Sequence, residues 1–549
     1  MWLRGPSTVS VRSIFFVVAN VSLFVGCSSA NIDSESTMNR VAGLIQTELG
    51  GLEGEAIGDQ DGVYVFRGVP YAEPPVEELR WREPVKKASW KGIRSAKTFG
   101  PACWQPLVAD TSIYTRGDLN RDEDCLYLNV WTGAEAASSA HPVMVWFHGG
   151  GHTGGWSSAK VFDGTTFAKK GVVLVTVNYR LGPFGFFSHP GLTNESPHSA
   201  SGNYGLLDKI SALEWVRDNI SAFGGDSDNV TIFGQSAGAW SVCYLMASPL
   251  SKGLFHKAIG QSGGCFGGGR PRLSDAEEAG VSAAMELGIG GTDKQALREL
   301  RALDAETVLD SGLGSGAIVD GWFMPKAARS IFDSGQHNDV PVMVGAMANE
   351  GSTLYAETPL RRFEELVSML YDQYGDHADE LLSLYEAEIR RSTKKAVQEI
   401  QADQRFVWEM RQWARVVASN GSDAYLYFFS HEPPVFRIYV PDQPELDLLS
   451  GAYGYGAYHS GDLAYVFGNT HLVGYDWSEW DHELSNRMVD YWSNFAHTGN
   501  PNGDGLAEWP RYEEESDPWL EFGAGIRYVT GVRKEKLDLF DRVNVLPSL

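Results

Sequence analysis

The feature that most constrains the fold is a series of short apolar runs separated by longer segments. The runs are PVMVWF, GVVLVTVNY, NVTIFG, HKAIGQ, DVPVMVGA and DAYLYFF. Continuous apolar runs are typical of strands that are covered on both faces. The segments between them carry helical spacing, as in YGLLDKISALEWVRDNI. This alternation predicts an α/β fold, with a central, mostly parallel, twisted sheet flanked by helices.

The length of the chain raises the question of how many domains it forms. Its 549 residues are 43% hydrophobic and 12% aromatic, which is enough to bury a large core. The span from 361 to 420 is rich in helical spacing, and no low-complexity linker or fixed-period repeat divides residues 40–549. We therefore predict a single domain over 40–549, with large loop and helical insertions.

The stretch TIFGQSAGAW, residues 231–240, passes from a strand pattern to a helical pattern at a glycine-rich turn. A serine between two glycines in this context is typical of a nucleophile elbow. The glycines let the strand and the helix pack closely, while Ser236 takes a strained backbone conformation with its hydroxyl exposed. A bare GxSxG pattern also arises by chance, so an ordinary turn stays open as an alternative.

A second glycine-rich turn follows another strand pattern, in PVMVWFHGGG. Consecutive glycines let backbone N–H groups converge without obstruction by side chains. The N–H groups of Gly150 and Gly151, with that of Ala237 after the serine, suit an oxyanion hole. A flexible turn or a phosphate loop is the alternative, but no GK[ST] sequence follows.

Together these stretches resemble the type-B carboxylesterase and cholinesterase family of α/β-hydrolases, from about residue 40 to the C-terminus. The segments that carry the resemblance are FRGVPYAEPPVEELRW, EDCLYLNVW, VNYRLGPFGF, SGNYGLLDKISALEWVRDNISAFGGD, FGQSAG and FAHTGNPN, in the family's order. The resemblance also implies structural ion pairs of Arg80 with Glu123 and of Arg180 with Asp208.

The resemblance further implies a catalytic triad in the chain order Ser, Glu, His. It places the nucleophile at Ser236, the acid at Glu350 in VGAMANEGS, and the base at His459 in YHSGDLAYVFGN. Ser262, in IGQSGG, matches a family serine that supports the acid. Gln235 departs from the family, because most members carry a glutamate beside the nucleophile.

The expected reaction is the hydrolysis of a carboxylic ester. His459 takes the proton of Ser236, which attacks the carbonyl while the N–H groups of the oxyanion hole stabilise the negative oxygen. An alcohol leaves, and water activated by the same histidine releases the acid from the acyl-enzyme. This chemistry requires no metal and no cofactor.

The substrate is expected to be a small to medium, uncharged ester. Thr115 stands where cholinesterases place the tryptophan that holds the choline cation, so a quaternary ammonium lacks an aromatic face. His152 follows the glycine run and is more readily explained by structural hydrogen bonding than by contact with substrate. Two alternatives remain: a lipase for longer acyl chains, and a catalytically silent adhesion or binding protein of the same fold.

Large aromatic residues are further candidates for the substrate gorge, although such residues belong to the core by default. The candidates are Trp104, Phe266, Trp408 and Tyr458.

The N-terminus has the pattern of a secretory signal. Arg4 and Arg12 precede the apolar run SIFFVVANVSLFVG, which is short for a membrane span. We predict a signal peptide over residues 1–26 and a flexible polar tether over 27–39.

The end of this run, FVGC, resembles a bacterial lipobox, which predicts lipidation of Cys27. Phe24 is an uncommon residue at its lipobox position, so ordinary cleavage near Ala30 remains an alternative. The chain is therefore expected to be exported and tethered to a membrane by its N-terminal lipid, facing the periplasm or the cell exterior, or otherwise to be secreted.

Export to an oxidising compartment changes how the cysteines are interpreted. Cys103 and Cys125 bracket a polar loop, and a bridge there would stabilise the fold by about 3 kcal/mol in the loop-closure model. The family resemblance supports that bridge. Cys243 lies on an apolar helical face, which favours a buried free thiol over a bridge to Cys265. No cysteine and histidine cluster has zinc spacing.

The formal net charge of −25 is spread along the chain. This acidity argues against nucleic acid as a partner and is typical of a soluble surface. The expected partner is a small-molecule ester, and the oligomeric state is left open.

Overall fold

A mixed sheet of eleven strands forms the centre of the structure, a computed structural model. The structure describes residues 43–58, 62–108, 112–115, 119–314, 316–356, 362–439, 454–474 and 476–543. The predicted signal peptide, the tether and Cys27 lie outside the described residues. The chain from Arg40 to Leu549 groups into one compact unit.

The strands are β1 (Leu44–Gln46), β2 (Gly51–Glu53), β3 (Glu55–Ile57), β4 (Val63–Pro70), β5 (Ile93–Ser95), β6 (Ala102–Cys103), β7 (Arg121–Asp122), β8 (Tyr127–Thr132), β9 (His141–Phe147), β10 (Val173–Val177), β11 (Gly225–Gln235), β12 (Lys257–Gln261), β13 (Val342–Met347), β14 (Ala424–Phe429), β15 (Pro518–Phe522) and β16 (Ile526–Thr530). The large sheet has the order β16-β15-β14-β13-β12-β11-β9-β10-β8-β4-β3. Neighbours from β15 to β10 pair in parallel, whereas β16, β8, β4 and β3 add antiparallel edges.

The α-helices are α1 (Thr165–Lys169), α2 (Gly182–Phe186), α3 (Pro190–Glu195), α4 (Tyr204–Asn219), α5 (Ala237–Ala247), α6 (Leu273–Glu286), α7 (Lys294–Arg301), α8 (Ala305–Asp310), α9 (Ala328–Asp333), α10 (Gly351–Leu354), α11 (Phe363–Tyr374), α12 (Ala378–Leu384), α13 (Glu386–Arg391), α14 (Thr393–Ala402), α15 (Trp408–Asn420), α16 (Leu463–Val466), α17 (Glu479–Thr498) and α18 (Lys534–Val543). A π-helical turn, Asp403–Val407, joins α14 to α15. None of the helices in the described residues has both the length and the apolar character needed to cross a membrane.

The apolar runs form the parallel strands because both faces of the sheet are covered. Along β9, Val143 and Val145 enter one hydrophobic cluster, whereas Met144 and Trp146 enter the other. The first cluster also takes side chains from α4, α5 and α15, and the second takes them from α1, α16 and α17. Each strand therefore buries its side chains alternately on opposite faces, and the predicted α/β fold is confirmed.

The parallel register brings distant parts of the chain to one edge of the sheet. Ser236 directly follows β11, Glu350 lies just beyond β13, and His459 lies in the segment after β14. The carboxyl ends of parallel strands meet at the same edge, which is where α/β folds bind ligands.

Two ion pairs hold loops against this core. Arg80 donates to Glu123 at 2.8 Å from Nε to Oε2, and Arg180 donates to Asp208 at 2.6 Å from Nη2 to Oδ1. Both pairs match those that the family resemblance implies. The Arg180 pair is buried, so removing either partner would leave an uncompensated charge.

The structure contains two disulfides. One joins Cys103 to Cys125, with the Cα atoms 5.0 Å apart. The other joins Cys243 to Cys265, with the Cα atoms 5.8 Å apart, so the expectation of a free thiol at Cys243 is wrong. The loop after β12 folds back over α5 and carries Cys265 to the buried face of that helix.

Candidate active site

Ser236 lies at a tight turn between β11 and α5. Its backbone has φ 56° and ψ −122°, a conformation that L residues rarely adopt. The neighbouring glycines are required sterically, since a Cβ at Gly238 would clash with the carbonyl oxygen of Phe147. Such strain costs about 1–3 kcal/mol and persists only where the surroundings enforce it. The turn therefore holds the Ser236 side chain at the carboxyl end of β11.

Glu350 and His459 form a hydrogen bond at the same edge. Nδ1 of His459 lies 2.5 Å from Oε2 of Glu350, and both side chains are buried. The other carboxylate oxygen accepts the backbone N–H of Met347 at 2.8 Å, which fixes the carboxylate. With a carboxylate at Nδ1, the neutral imidazole carries its proton there and leaves a lone pair on Nε2.

The Gln235 side chain occupies this lone pair. Its Nε2 lies 3.0 Å from Nε2 of His459, so the amide donates a hydrogen bond to the imidazole. Nε2 of His459 therefore accepts a hydrogen bond from Gln235 in this structure, and not from the hydroxyl of Ser236. Hydrogen bonds between catalytic groups are often long or absent before substrate binds.

The predicted oxyanion-hole residues surround the serine. Gly150 and Gly151 have φ of 107° and 67°, and both line the same cavity as Ser236. Ala237 is the first residue of α5, so its N–H has no acceptor within the helix. These N–H groups are suited to stabilising a negative oxygen beside Ser236.

His152 connects the glycine loop to α5. Its Nε2 lies 3.0 Å from the carbonyl oxygen of Ala237 and 2.9 Å from Oγ of Ser241. A carbonyl oxygen accepts hydrogen bonds, so Nε2 is the donor. Burial lowers the pKa of His152 well below its usual value, which keeps the ring neutral. These contacts agree with the expectation that His152 makes structural hydrogen bonds.

The cavity at this edge of the sheet has a volume of about 460 Å³. It is lined by Val108, Ser112, Tyr114, Gly149, Gly150, Gly151, Phe162, Gln235, Ser236, Trp240, Leu354, Tyr355, Arg405, Phe406, Ile438, Tyr439, His459, Ser460 and Leu463. Its size and its mainly apolar lining are typical of small-molecule sites.

The sequence-based candidates for aromatic lining were wrong. Trp104, Phe266, Trp408 and Tyr458 are not among the described residues around this cavity. Trp408 illustrates the reason: it is buried against α18, where its indole N–H donates to Asp541 at 2.7 Å.

The sequence matches the carboxylesterase family over residues 42–540. It is 34% identical to the fumonisin B1 esterase of Sphingopyxis macrogoltabida, covering 87% of this chain and 86% of the relative. It is 33% identical to the human cocaine esterase, covering 83% of each chain. The chain belongs to the carboxylesterase family.

Solved structures of carboxylesterases are similar over nearly the whole chain. A carboxylesterase from Geobacillus stearothermophilus has a TM-score of 0.78 and 31% identity, covering 91% of this chain and 100% of that one. A PNB esterase has a TM-score of 0.74 and 30% identity, covering 90% of this chain and 99% of that one. The protein is thus a carboxylesterase with the α/β-hydrolase fold, and small-molecule esters are its substrates.

In this carboxylesterase, Ser262 does not make the predicted contact with the acid. Its Oγ is buried and has no hydrogen-bond partner among the described residues. The reason is that Glu350 directs its two oxygens to His459 and to the N–H of Met347. Support for the acid therefore comes from the backbone at the end of β13.

Asp462 is a buried carboxylic acid that sequence reasoning missed. Its Oδ2 accepts hydrogen bonds from Gln261 at 2.9 Å and from Tyr427 at 3.3 Å. Burial, with a further contribution from the Glu350 charge, raises the pKa of Asp462 to about 6. Its position three residues after His459, in the motif YHSGDLAYVFGN, is the signal that could have identified it.

Proposed function

We propose that this carboxylesterase hydrolyses small to medium esters through an acyl-enzyme on Ser236, with His459 as the base and Glu350 as the acid. The observation that carries the proposal is the 2.5 Å hydrogen bond between Glu350 and His459, beside the strained serine turn. Buried groups converge in this way from three separate parts of the chain. Such convergence is characteristic of an assembled catalytic site.

In the proposed reaction, an ester first displaces the Gln235 amide from His459. The Nε2 atom then accepts the proton of Ser236 as its Oγ attacks the ester carbonyl. Glu350 stabilises the imidazolium that forms. The imidazolium next protonates the leaving alcohol, and a water molecule deprotonated by the same nitrogen releases the acid.

The N–H groups of Gly150, Gly151 and Ala237 would stabilise the negative oxygen in both halves of the reaction. They belong to two elements, the glycine loop after β9 and the start of α5. The contact of His152 with the Ala237 carbonyl joins those elements. A fixed separation between the donors is what makes such a hole effective, because no reorganisation is needed during the reaction.

The cavity volume of about 460 Å³ supports small to medium substrates. Positively charged esters are disfavoured, since Thr115 is buried and its hydroxyl donates to the carbonyl oxygen of Val108. No aromatic ring is thus available at that position to face a cation.

The acyl-enzyme is testable with p-nitrophenyl acetate. In the pre-steady state with substrate in excess, we expect a burst of nitrophenolate and, after an acid quench, a mass increase of one acetyl group mapped to the peptide that contains Ser236. The exposed Ser282, on α6, serves as the control and should carry no label. Acetylation at another residue, or turnover without any covalent intermediate, would contradict the proposed mechanism.

We also propose that the enzyme is exported with lipid attached at Cys27; secretion without the lipid is the alternative. The two disulfides support an oxidising compartment. Mass spectrometry of the mature N-terminus would test this. A start at Cys27 with diacylglycerol supports the lipid anchor, whereas an unmodified start near Ala30 contradicts it.

A further inference from the structure

Among the described residues that line the mainly apolar catalytic cavity, Arg405 is the one strongly basic side chain. Arg405 lines it together with Ser236 and Trp240, and the Arg405 guanidinium lies 4.6 Å from the centre of the Trp240 ring. Its side chain is 31% exposed, so the guanidinium remains accessible from the cavity. Stacking on an indole orients the plane of the guanidinium while leaving its N–H edges available for hydrogen bonds.

The backbone that carries Arg405 is unusual. Arg405 and Phe406 lie in the π-helical turn Asp403–Val407, and the Phe406 ring lies 4.9 Å from the ring of His459. Turns of this kind are rare, and they occur often at functional sites. Here the turn directs two successive side chains to the cavity, one against the proposed base and one toward bound substrate.

Buried contacts hold this turn in place. The carboxylate of Asp403 pairs with Arg533 and accepts the hydroxyl of Tyr385 at 2.7 Å. Arg533 in turn donates to the carbonyl oxygen of Ala348 at 2.7 Å, next to the segment that carries the proposed acid. The position of Arg405 is therefore fixed relative to the catalytic groups.

Among the described residues, the charge around Arg405 is not fully balanced. Glu409 lies 3.5 Å away, a long contact, and its other oxygen accepts the N–H of Phe266 at 3.2 Å. Burial raises the pKa of Glu409 to about 7, which weakens its negative charge near neutrality. A second guanidinium, that of Arg270, lies 5.8 Å from the same Trp240 ring. Within the described part of the chain, two guanidiniums thus lie near the one carboxyl group of Glu409.

We propose that Arg405 binds a carboxylate of the substrate, and that the enzyme prefers esters bearing a free carboxylate over neutral esters of equal size. The proposal rests on the proposed function, because it assigns the substrate of the same cavity. A guanidinium binds a carboxylate through two parallel hydrogen bonds, which adds orientation to affinity. A carboxylate site at Arg405 also revises the expectation of uncharged substrates, which was based on the absence of a site for cations.

The test compares two matched pairs of esters. In the first pair the charge is on the acyl side: monomethyl glutarate against methyl pentanoate. In the second pair it is on the alcohol side: 4-acetoxybenzoate against its methyl ester. The quantity measured is the ratio of kcat/KM for the anionic ester to that for the neutral ester. We expect wild-type enzyme to favour the anionic member of at least one pair, and that pair identifies the side on which the carboxylate binds.

Variants at residue 405 then assign the preference to the guanidinium. Arg405→Gln should lower the ratio by about 10- to 100-fold, mainly through KM, since a charge-assisted hydrogen bond is lost. Arg405→Lys should retain part of the preference, and Arg405→Glu should reverse it. Arg390→Gln, at an exposed arginine on α13, is the matched control and should leave the ratio unchanged.

Inhibition of the wild-type enzyme by free glutarate gives a measurement independent of any variant. Glutarate should compete with methyl pentanoate, and pentanamide should compete at least tenfold less well. Equal turnover within both pairs, or a ratio that does not respond to Arg405→Gln, would overturn the anion site. If no ester is hydrolysed and Ser236 is not acetylated, the proposed function itself fails.

Discussion

Replacing Ser236 with alanine is expected to lower kcat for p-nitrophenyl butyrate by about 10⁵- to 10⁶-fold. The variant has no nucleophile to acylate, so only the activity supplied by binding and the oxyanion hole remains. Stability should change by less than about 1 kcal/mol, because alanine meets the same backbone strain at φ 56° as serine. Steady-state kinetics and the thermal midpoint Tm together test both statements.

The matched control for this experiment is Ser282→Ala, an exposed serine on α6 whose hydroxyl donates to the backbone of Glu278. Its activity should equal that of the wild type. Turnover by the Ser236→Ala variant within tenfold of the wild type would remove the acyl-enzyme mechanism.

Replacing Glu350 with glutamine is expected to lower kcat by about 10³- to 10⁴-fold. Glutamine has nearly the same shape, but its amide N–H faces Nδ1 of His459, which favours the imidazole tautomer protonated at Nε2. That tautomer cannot accept the proton of Ser236. The variant also loses the negative charge that stabilises the imidazolium, and the two effects act on the same step.

The conservative change Glu350→Asp separates charge from position. Aspartate keeps the charge but is one methylene shorter, so this variant should retain more activity than Glu350→Gln does, although less than the wild type. The order of kcat values, wild type above the aspartate variant above the glutamine variant, is the expected result. Equal kcat for all three proteins would show that the carboxylate does not act on His459.

The parallel strands could be predicted because their pattern is local. The strands β10, β13 and β14 are apolar over almost their whole length, and β9 is apolar after its first residue, since both faces of the sheet are covered. The serine turn and the glycine loop could also be predicted, because the close approach of backbone at these turns leaves no room for a Cβ and so requires glycine. The bridge of Cys243 to Cys265 was missed for the opposite reason: the path of the loop after β12 depends on tertiary packing.

The substrate side of the cavity could not be predicted from the sequence. Arg405 and Glu409 are four residues apart in a helical segment, a spacing typical of an exposed surface ion pair. The π-helical turn Asp403–Val407 changes the direction of these side chains, and no local sequence pattern specifies such a turn. The role of Trp240 could not be predicted for a similar reason. Its position on α5 predicts burial, but its contact with Arg405 depends on a segment that is distant in the sequence.

The helical insertion from α11 to α15 forms the long connection between β13 and β14, and its π-helical turn brings Phe406 and Arg405 to the catalytic groups. In the proposed mechanism, the reacting groups lie at the strand ends, whereas the choice of substrate depends on this insertion, which is anchored by the ion pair of Asp403 with Arg533 next to α18. Exchange of this insertion between related enzymes offers a route to new selectivity without redesign of the reactive groups, because the insertion and the reactive groups are specified by separate stretches of sequence.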